Sequence, residues 1–320
     1  MRKMEAVVGI AAVVLLLAGA YFIFFNSGEE AWFEGEVERL TLGAETSLLT
    51  AAVWIAEDKG FFKEQNLEIL IEEFESGKAS FNDMLDGGVD ISTVAPTPIM
   101  FNSFKRADFF IFATFVSSVE DVKVIARKDS GINSAQDLKG KRVGTPVGTT
   151  GQFFLAAFLT FRNMEESDVE VVDISPSNLP EALNNKEVDA IVIWEPHANN
   201  AKKLLGDNAA HLQSSDVYDE TFNFMVMKDF AEQNPEAIKR FLKAIDKATE
   251  FIKENKEESQ EIVAERLGLN KEEMAVLWDD FSFDISLKQS LLLTLEDEAR
   301  WAISSKLTTT RPIGIKSKLF

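Results

Sequence analysis

The sequence predicts an α/β fold of two similar lobes, each with a mostly parallel sheet covered by helices. The chain has 320 residues, which is enough for two compact units. Hydrophobic residues make up 46% of the chain, as is typical of globular proteins. One order of strands, turns and helices also occurs twice, at a spacing of about a hundred residues. Because strands that alternate with helices pair in parallel, each copy predicts one lobe.

The first copy starts with a short strand over residues 40–43. A helix over 49–59 follows, with Gly60 as its stop. Leu67, Ile69 and Ile71 alternate with polar residues, which indicates a strand over 67–74. The copy closes with a short helix over 80–85 and a strand over 89–94.

The second copy repeats this order with strands over 141–144, 169–174 and 188–194. Its first helix is opened by the 148–151 turn and reaches about residue 161, and its second helix covers 180–185. Single residues match between the copies as well: Gly43 with Gly144, Asp90 with Asp189 and, within one residue, Pro96 with Pro196. The same order of elements predicts the same topology in both lobes.

The remaining elements are expected to connect the lobes and to cover the first one. Apolar runs over 109–116 and 122–126 would pass between the lobes, and 222–227 would return. Asn234 and Asn270 are candidate N-caps of C-terminal helices. We therefore expect these segments: 1–28 membrane anchor or signal segment, 29–38 linker, 39–117 first lobe, 118–225 second lobe, and 226–320 helices that pack mainly on the first lobe.

The N-terminal segment predicts export. Arg2 and Lys3 precede an uncharged run over 6–25, and about twenty residues at ~1.5 Å each cross a ~30 Å hydrocarbon core. Acidic residues follow the run, so the N-terminus is expected inside and the remainder outside. The alternative is a cleaved signal peptide with its site at Ala18-Gly19-Ala20. Both interpretations place the folded part outside the cytoplasm.

The composition narrows the classes of function. A net charge of −20 disfavours nucleic acid as a partner, because phosphates would be repelled. The absence of cysteine excludes disulfides, thiolate metal sites, cysteine nucleophiles and a lipid-modified cysteine. Two histidines do not suffice for a His-rich metal site. No cofactor is expected.

Several segments resemble the nitrate/sulfonate/taurine/thiamine-pyrimidine solute-binding family. They are residues 56–62 (AEDKGFF) with 67–69, 76–78 with 88–91, 137–144 (DLKGKRVG), and 187–190 with 194–196. The resemblance covers roughly residues 38–260. It implies a periplasmic-binding-protein type II fold, a hinge, and closure around a small solute that is delivered to an ABC permease and its ATPase.

Four turns carry the candidate ligand-binding residues. In parallel α/β sheets, ligands bind outside the carboxyl ends of strands, near helix N-termini. The turns that meet this rule carry Thr46 and Ser47; Pro96 and Thr97; Gly148, Thr149 and Thr150; and Trp194 and Glu195. Asn223 lies near the returning strand and is a further candidate.

Each candidate also has a structural interpretation. The 148–151 turn could hold an oxyanion through backbone N–H groups and hydroxyls, or Thr149 could only cap the helix. Trp194 could stack on a ligand or belong to the core. Glu195 could bind an amine or a pyrimidine N–H, or pair with a lysine such as Lys202. No arginine or lysine lies in the four turns.

The sequence thus predicts the extracytoplasmic solute-binding component of an ABC importer, without catalysis. The expected solute is of the sulfonate/taurine, nitrate or aminopyrimidine type. One alternative is a ligand-sensing domain of a membrane signalling complex. The other is an enzyme on the same fold. The fungal pyrimidine-forming enzyme of this architecture carries a cysteine-rich motif, which a chain without cysteine cannot contain. A Ser-His-Asp hydrolase would need a histidine near its serine, but neither histidine lies in a G-x-S-x-G context.

Overall fold

The computed structural model describes residues 36–212 and 217–308, which form two sheets and their covering helices. The strands are β1 (Glu38–Glu45), β2 (Leu67–Phe74), β3 (Ile91–Val94), β4 (Phe109–Ser118), β5 (Lys123–Arg127), β6 (Arg142–Thr145), β7 (Glu170–Asp173), β8 (Ala190–Ile193), β9 (Ala209–Leu212), β10 (Glu220–Met227) and β11 (Phe281–Ser286). The helices are α1 (Ala51–Asp58), α2 (Phe61–Glu64), α3 (Gly77–Asp86), α4 (Pro96–Ser103), α5 (Thr150–Phe161), α6 (Leu179–Asn184), α7 (His197–Leu205), α8 (Lys228–Gln233), α9 (Pro235–Glu254), α10 (Lys256–Leu267), α11 (Lys271–Trp278) and α12 (Ser290–Ser304).

Each sheet is the centre of one lobe. The first lobe has the strand order β11-β4-β10-β3-β1-β2, and the second lobe has β7-β6-β8-β5-β9. The bounds of the lobes at 39–117 and 118–225 stay a prediction. The chain passes from the first sheet to the second between β4 and β5, and β10 brings it back.

The expectation of mostly parallel sheets is wrong, because both sheets are mixed. In the first sheet β10 is antiparallel to β3 and β4, and β11 is antiparallel to β4. In the second sheet β5 is antiparallel to β8 and β9. The repeated pattern contains only the β-α-β units, whose crossovers enforce parallel pairing. The connecting strands lie outside that pattern, so their direction was not visible in it.

The repeat itself is confirmed. In each lobe the central strand lies between two parallel neighbours: β1 between β2 and β3, and β6 between β7 and β8. Gly43 and Gly144 occupy equivalent places in these strands. A Cβ there would lie 2.6 Å from Ser80 Oγ or 2.8 Å from Leu179 Cδ2. Both glycines therefore allow a helix, α3 or α6, to pack closely on the central strand.

The matched aspartates also have one role. Asp90 Oδ2 accepts a hydrogen bond from the Thr41 N–H at 2.8 Å, and Asp189 Oδ2 accepts one from the Arg142 N–H at 3.0 Å. Each carboxylate thus ties the start of the third strand of its unit to the central strand.

The C-terminal helices cover the first sheet from both sides. Phe241 of α9 packs on Phe62 and Phe224, with ring centroids 5.4 and 4.9 Å apart. Leu291 and Leu295 of α12 belong to the core on the opposite face. The capping box of α11, with Asn270 and Glu273, is confirmed. Asn234 makes no side-chain cap; its amide donates to Phe230 O instead.

The expected membrane anchor over residues 6–25 lies outside the described residues. Within residues 36–212 and 217–308, no helix is both long and apolar enough to cross a bilayer.

Candidate functional site

A cavity lies between the two lobes, where the predicted strand ends meet. It has about 270 Å³ of empty space, part of which is open to solvent. The wall comes from the ends of β1, β3, β6 and β8, from α3 and from β10: Glu45, Leu49, Ser76, Gly77, Lys78, Ala95, Pro98, Thr149, Thr150, Trp194, Glu220 and Phe222.

The turn after β6 has two roles at once. Thr149 caps α5: its Oγ1 accepts from the Gly151 N–H at 3.3 Å and donates to Pro146 O at 2.6 Å. Thr150 also lines the cavity, and its buried Oγ1 lies beside the Glu220 carboxyl but has no hydrogen-bond partner of normal geometry. Gly148 has a φ of +76°, and its N–H donates a hydrogen bond to Gln152 Oε1 at 2.8 Å. The unused polar group of this turn is therefore the Thr150 hydroxyl.

Trp194 and Glu195 are adjacent in sequence but differ in surroundings. Trp194 is 5% exposed and lines the cavity, and its Nε1–H has no acceptor. Glu195 is fully buried outside the cavity wall. Its Oε1 lies 3.1 Å from Lys123 Nζ and 3.8 Å from Lys202 Nζ, and its Oε2 accepts from the Asn199 N–H at 2.8 Å. The geometry therefore favours the structural interpretation of Glu195, which is pairing with lysine.

The other predicted residues lie beside the cavity rather than in its wall. Thr97, in the first turn of α4, donates to the buried Glu298 Oε1 at 3.1 Å. Asn223 lies inside the first sheet, where its amide bonds to Thr114 and Val94. Thr46 donates to Glu73, and Ser47 is buried but does not cap a helix with its side chain. Pro96 and Gly148 are the other two predicted residues that do not line the cavity.

A family model described as "NMT1/THI5 like" matches residues 49–259, which is more than half of the chain. The chain belongs to the NMT1/THI5-like family. This confirms the resemblance that the sequence motifs indicated. The matched residues include the turns after β3, β6 and β8 that face the cavity.

Curated proteins are similar to this chain as well. A protein of Brucella abortus (strain 2308), named as a binding protein without a stated ligand, is 30% identical over 225 residues, which are 69% of each chain. The taurine-binding periplasmic protein of Escherichia coli (strain K12) is 27% identical over 228 residues, 69% of this chain and 68% of that one.

Solved structures confirm the periplasmic-binding-protein fold. The alkanesulfonate-binding protein SsuA from Xanthomonas axonopodis pv. citri, bound to MOPS, superposes with a TM-score of 0.79 at 18% identity. The superposition covers 88% of this chain and 98% of the SsuA chain. The aliphatic sulphonate binding protein SsuA from Escherichia coli has a TM-score of 0.77 at 19% identity, covering 88% and 92%.

Three charged residues in the wall of this NMT1/THI5-like protein were missed from the sequence. They are Glu45 at the end of β1, Lys78 in α3 and Glu220 at the start of β10. Lys78 Nζ donates to Val147 O at 2.7 Å and so joins the two lobes. The four turns contain no lysine, but one reaches the site from α3. Its only signal was the Ser76-Gly77-Lys78 segment, which matched the family without indicating a role.

The two wall carboxyl groups are buried and incompletely bonded. Each residue is 3% exposed. Glu45 Oε2 accepts from the Gly77 N–H at the start of α3 at 2.5 Å, whereas Oε1 has no partner. Glu220 Oε2 has no partner of normal hydrogen-bond geometry either. Burial and then repulsion by Asp121 raise the pKa of Glu45 to about 8.

Asp121 lies behind the wall and couples to both acids. It is fully buried in the link between β4 and β5. Burial raises the pKa of Asp121 to about 7, although Lys123 acts against this shift. Burial, Asp121 and Glu45 raise the pKa of Glu220 well above its ordinary value. The cavity thus has an acidic side whose carboxyl groups hold protons more tightly than free glutamates do.

Proposed function

We propose that this protein is the extracytoplasmic solute-binding component of an ABC importer. One observation carries the proposal: a cavity between two lobes is walled by strand ends from both and contains buried polar atoms without partners. Such a site is the place where a small ligand binds in an open α/β fold. The names of the relatives support it, because they describe taurine-binding and sulfonate-binding proteins.

The mechanism in this proposal is closure of two lobes around one solute. Contacts between the lobes already exist, among them Lys78 Nζ to Val147 O at 2.7 Å and Trp301 Nε1 of α12 to Glu166 Oε1 at 2.9 Å. A solute in the cavity would add contacts to both walls and so stabilise the closed arrangement. The closed lobes would then dock on the permease, and no chemical step would occur.

The solute belongs to the sulfonate/taurine, nitrate or aminopyrimidine type in this proposal. Thr149, Thr150 and Trp194 are the predicted residues that lie where such a solute would be in contact with them. Export would rest on the N-terminal segment, either as an anchor over 6–25 or as a signal peptide.

A thermal-unfolding screen of the full chain tests the proposal. We expect one solute among sulfonates, taurine, nitrate, aminopyrimidines and riboflavin to raise the unfolding midpoint. Saturation at about 100 times Kd corresponds to about 2.7 kcal/mol of added stability. An unchanged midpoint with every small solute would contradict the proposal. Solute uptake by vesicles that contain the permease and ATPase would separate an importer from a sensor.

A further inference from the structure

We propose that the cavity selects a solute with a positively charged nitrogen group, which Glu45 and Glu220 bind as carboxylates. The inference rests on the proposed function and names the substrate class of the same site. It starts from the two carboxyl groups in the wall, each 3% exposed and each with an oxygen that has no hydrogen-bond partner of normal geometry. The hydroxyls beside them, of Ser47 and Thr150, are neutral and do not compensate a negative charge. A buried carboxylate oxygen without a donor is unfavourable, so N–H donors from a solute would satisfy it.

The protein does not supply a cation to these oxygens. The wall contains two carboxyl groups and one ammonium group, that of Lys78. Lys78 Nζ is directed to the Val147 carbonyl, at 2.7 Å, and forms no salt bridge with Glu45 or Glu220 among the described residues. When both acids are ionised, the wall therefore has a net negative charge that a cationic solute would neutralise.

An anionic group meets competition at the first-lobe side of the cavity. The N-terminus of a helix is a favourable place for an anion because its N–H groups are unpaired. Here the first N–H of α3, that of Gly77, is already bonded to Glu45 Oε2 at 2.5 Å. A sulfonate or nitrate at this point would have to displace a carboxylate of the protein. An anionic part of a zwitterion would instead lie toward Thr150 and Lys78.

A metal ion is a poor occupant. Across residues 36–212 and 217–308, no three His, Cys, Asp or Glu side chains converge in a way that could hold one. Apolar side chains of the wall include Leu49, Pro98, Trp194 and Phe222. Two carboxyl groups beside apolar surface are the chemistry that suits an organic cation or zwitterion. The Trp194 ring would add cation–π attraction if the cation lies over its face.

The protonation of the wall gives the inference a signature. Asp121 and the Ser47 hydroxyl act on Glu45, and Asp121, Glu45 and the Thr150 hydroxyl act on Glu220. Lys123 and Glu195 in turn act on Asp121. A cation binds the ionised acids and expels their protons, so its affinity should rise with pH. An anion that accepts hydrogen bonds from protonated acids would show the opposite dependence.

Matched solute pairs test the selection on the wild-type full chain by calorimetry. Taurine has an ammonium group where isethionate has a hydroxyl. Benzamidine carries a cationic substituent on its ring, and benzenesulfonate carries an anionic one. We expect the nitrogen cation in at least one pair to bind 10-fold tighter or more, with affinity that rises from pH 6 to 8.5 and protons released to the buffer. Taurine alone would indicate a zwitterion, and benzamidine alone would indicate a simple cation.

Variants localise the effect. Glu45→Gln or Glu220→Gln should weaken the preferred cation roughly 10- to 100-fold, because a hydrogen bond to a charged group is lost. Glu298→Gln is the matched control: Glu298 is also fully buried, with a pKa raised by burial to about 8, but it lies outside the wall. We expect affinity within about 3-fold of wild type for this control.

Two failures are distinguishable. The inference is overturned if isethionate, benzenesulfonate or nitrate binds in preference to the cations, or if affinity for the cation falls as pH rises. Either result leaves the proposed solute-binding function intact. The same holds if both wall variants bind the cation as tightly as wild type. Failure of every solute in the screen to bind would instead remove the proposed function itself.

Discussion

Two groups of buried acids lie on either side of the link between β4 and β5, and their surroundings differ. Glu195, in the second lobe, is fully buried, but Lys123 and Lys202 lie 3.1 and 3.8 Å from its Oε1. Glu45 and Glu220, at the cavity, are almost equally buried, and within residues 36–212 and 217–308 neither has a salt bridge to lysine or arginine. Burial is therefore common to a structural ion pair and to a candidate binding site. What separates them is whether the protein itself supplies the opposite charge.

The difference has an energetic basis. Moving a carboxylate out of water costs several kcal/mol, and a close cation with additional hydrogen bonds offsets that cost. Burial opposes the charged form of Lys123, but Glu195, Asp121 and Asp280 together outweigh it and raise its pKa. At the cavity the same cost is met by proton uptake, which is what the raised pKa values of Glu45 and Glu220 mean.

The largest expected effect comes from breaking the compensated side. Lys123→Met would leave Glu195 buried without its nearest cation, and Asp280 would lose a partner at 3.4 Å. We expect the free energy of unfolding in urea to fall by about 3–5 kcal/mol. Lys139→Met is the control, since the Lys139–Asp168 pair is exposed and should cost less than about 1 kcal/mol. Equal losses in both variants would refute the comparison.

The next effect is a pH dependence on the uncompensated side. The pKa of Glu45 is raised to about 8 in the folded protein, above that of the unfolded chain, so the folded state binds the extra proton. This contribution is fully present below about pH 4.5 and is lost as pH rises to about 8. The slope for one such group is about 1.4 kcal/mol per pH unit.

Glu45→Gln isolates this contribution. Without an ionisable group at residue 45, the variant should gain stability relative to wild type as pH rises from 5 to 8. Urea unfolding at pH 5, 6, 7 and 8 measures the difference between the two proteins. Asp121 and Glu220 contribute in the same direction in both, so parallel curves for wild type and variant would contradict the assignment to Glu45.

The smallest effect applies the same comparison to two neighbouring hydroxyls. Thr149 Oγ1 is bonded twice within the turn, whereas Thr150 Oγ1 is buried without a partner. Thr149→Ala should lower the free energy of unfolding by about 1 kcal/mol, as for other lost N-caps. Thr150→Val should change it by less than about 0.5 kcal/mol, because its hydroxyl makes no hydrogen bond of normal geometry. Thr150→Val should still weaken binding of the solute. A larger loss of stability for Thr150→Val than for Thr149→Ala would contradict these two roles.

Much of the fold follows from local patterns in the chain. The strand at Leu67–Phe74 has the predicted bounds because its alternation of apolar and polar residues is regular. The equivalence of Gly43 and Gly144 is confirmed because the same close helix packing demands it twice. The segment after residue 94 was expected to be a turn, but α4 begins at Pro96, since proline is well suited to the first helical position.

The sequence by itself determined that two β-α-β units occur and which of their strand ends face one another, because hydrophobic periodicity and turn residues act over short distances. That was sufficient to bring Thr149, Thr150 and Trp194 to the cavity. Only the tertiary structure decided which carboxylates are paired. Lys123 meets Glu195, while Glu45 and Glu220 meet each other at the cavity, across separations in the chain that no local pattern encodes. Charge compensation depends on distance in space, so the two uncompensated acids at the cavity became visible only in the folded chain.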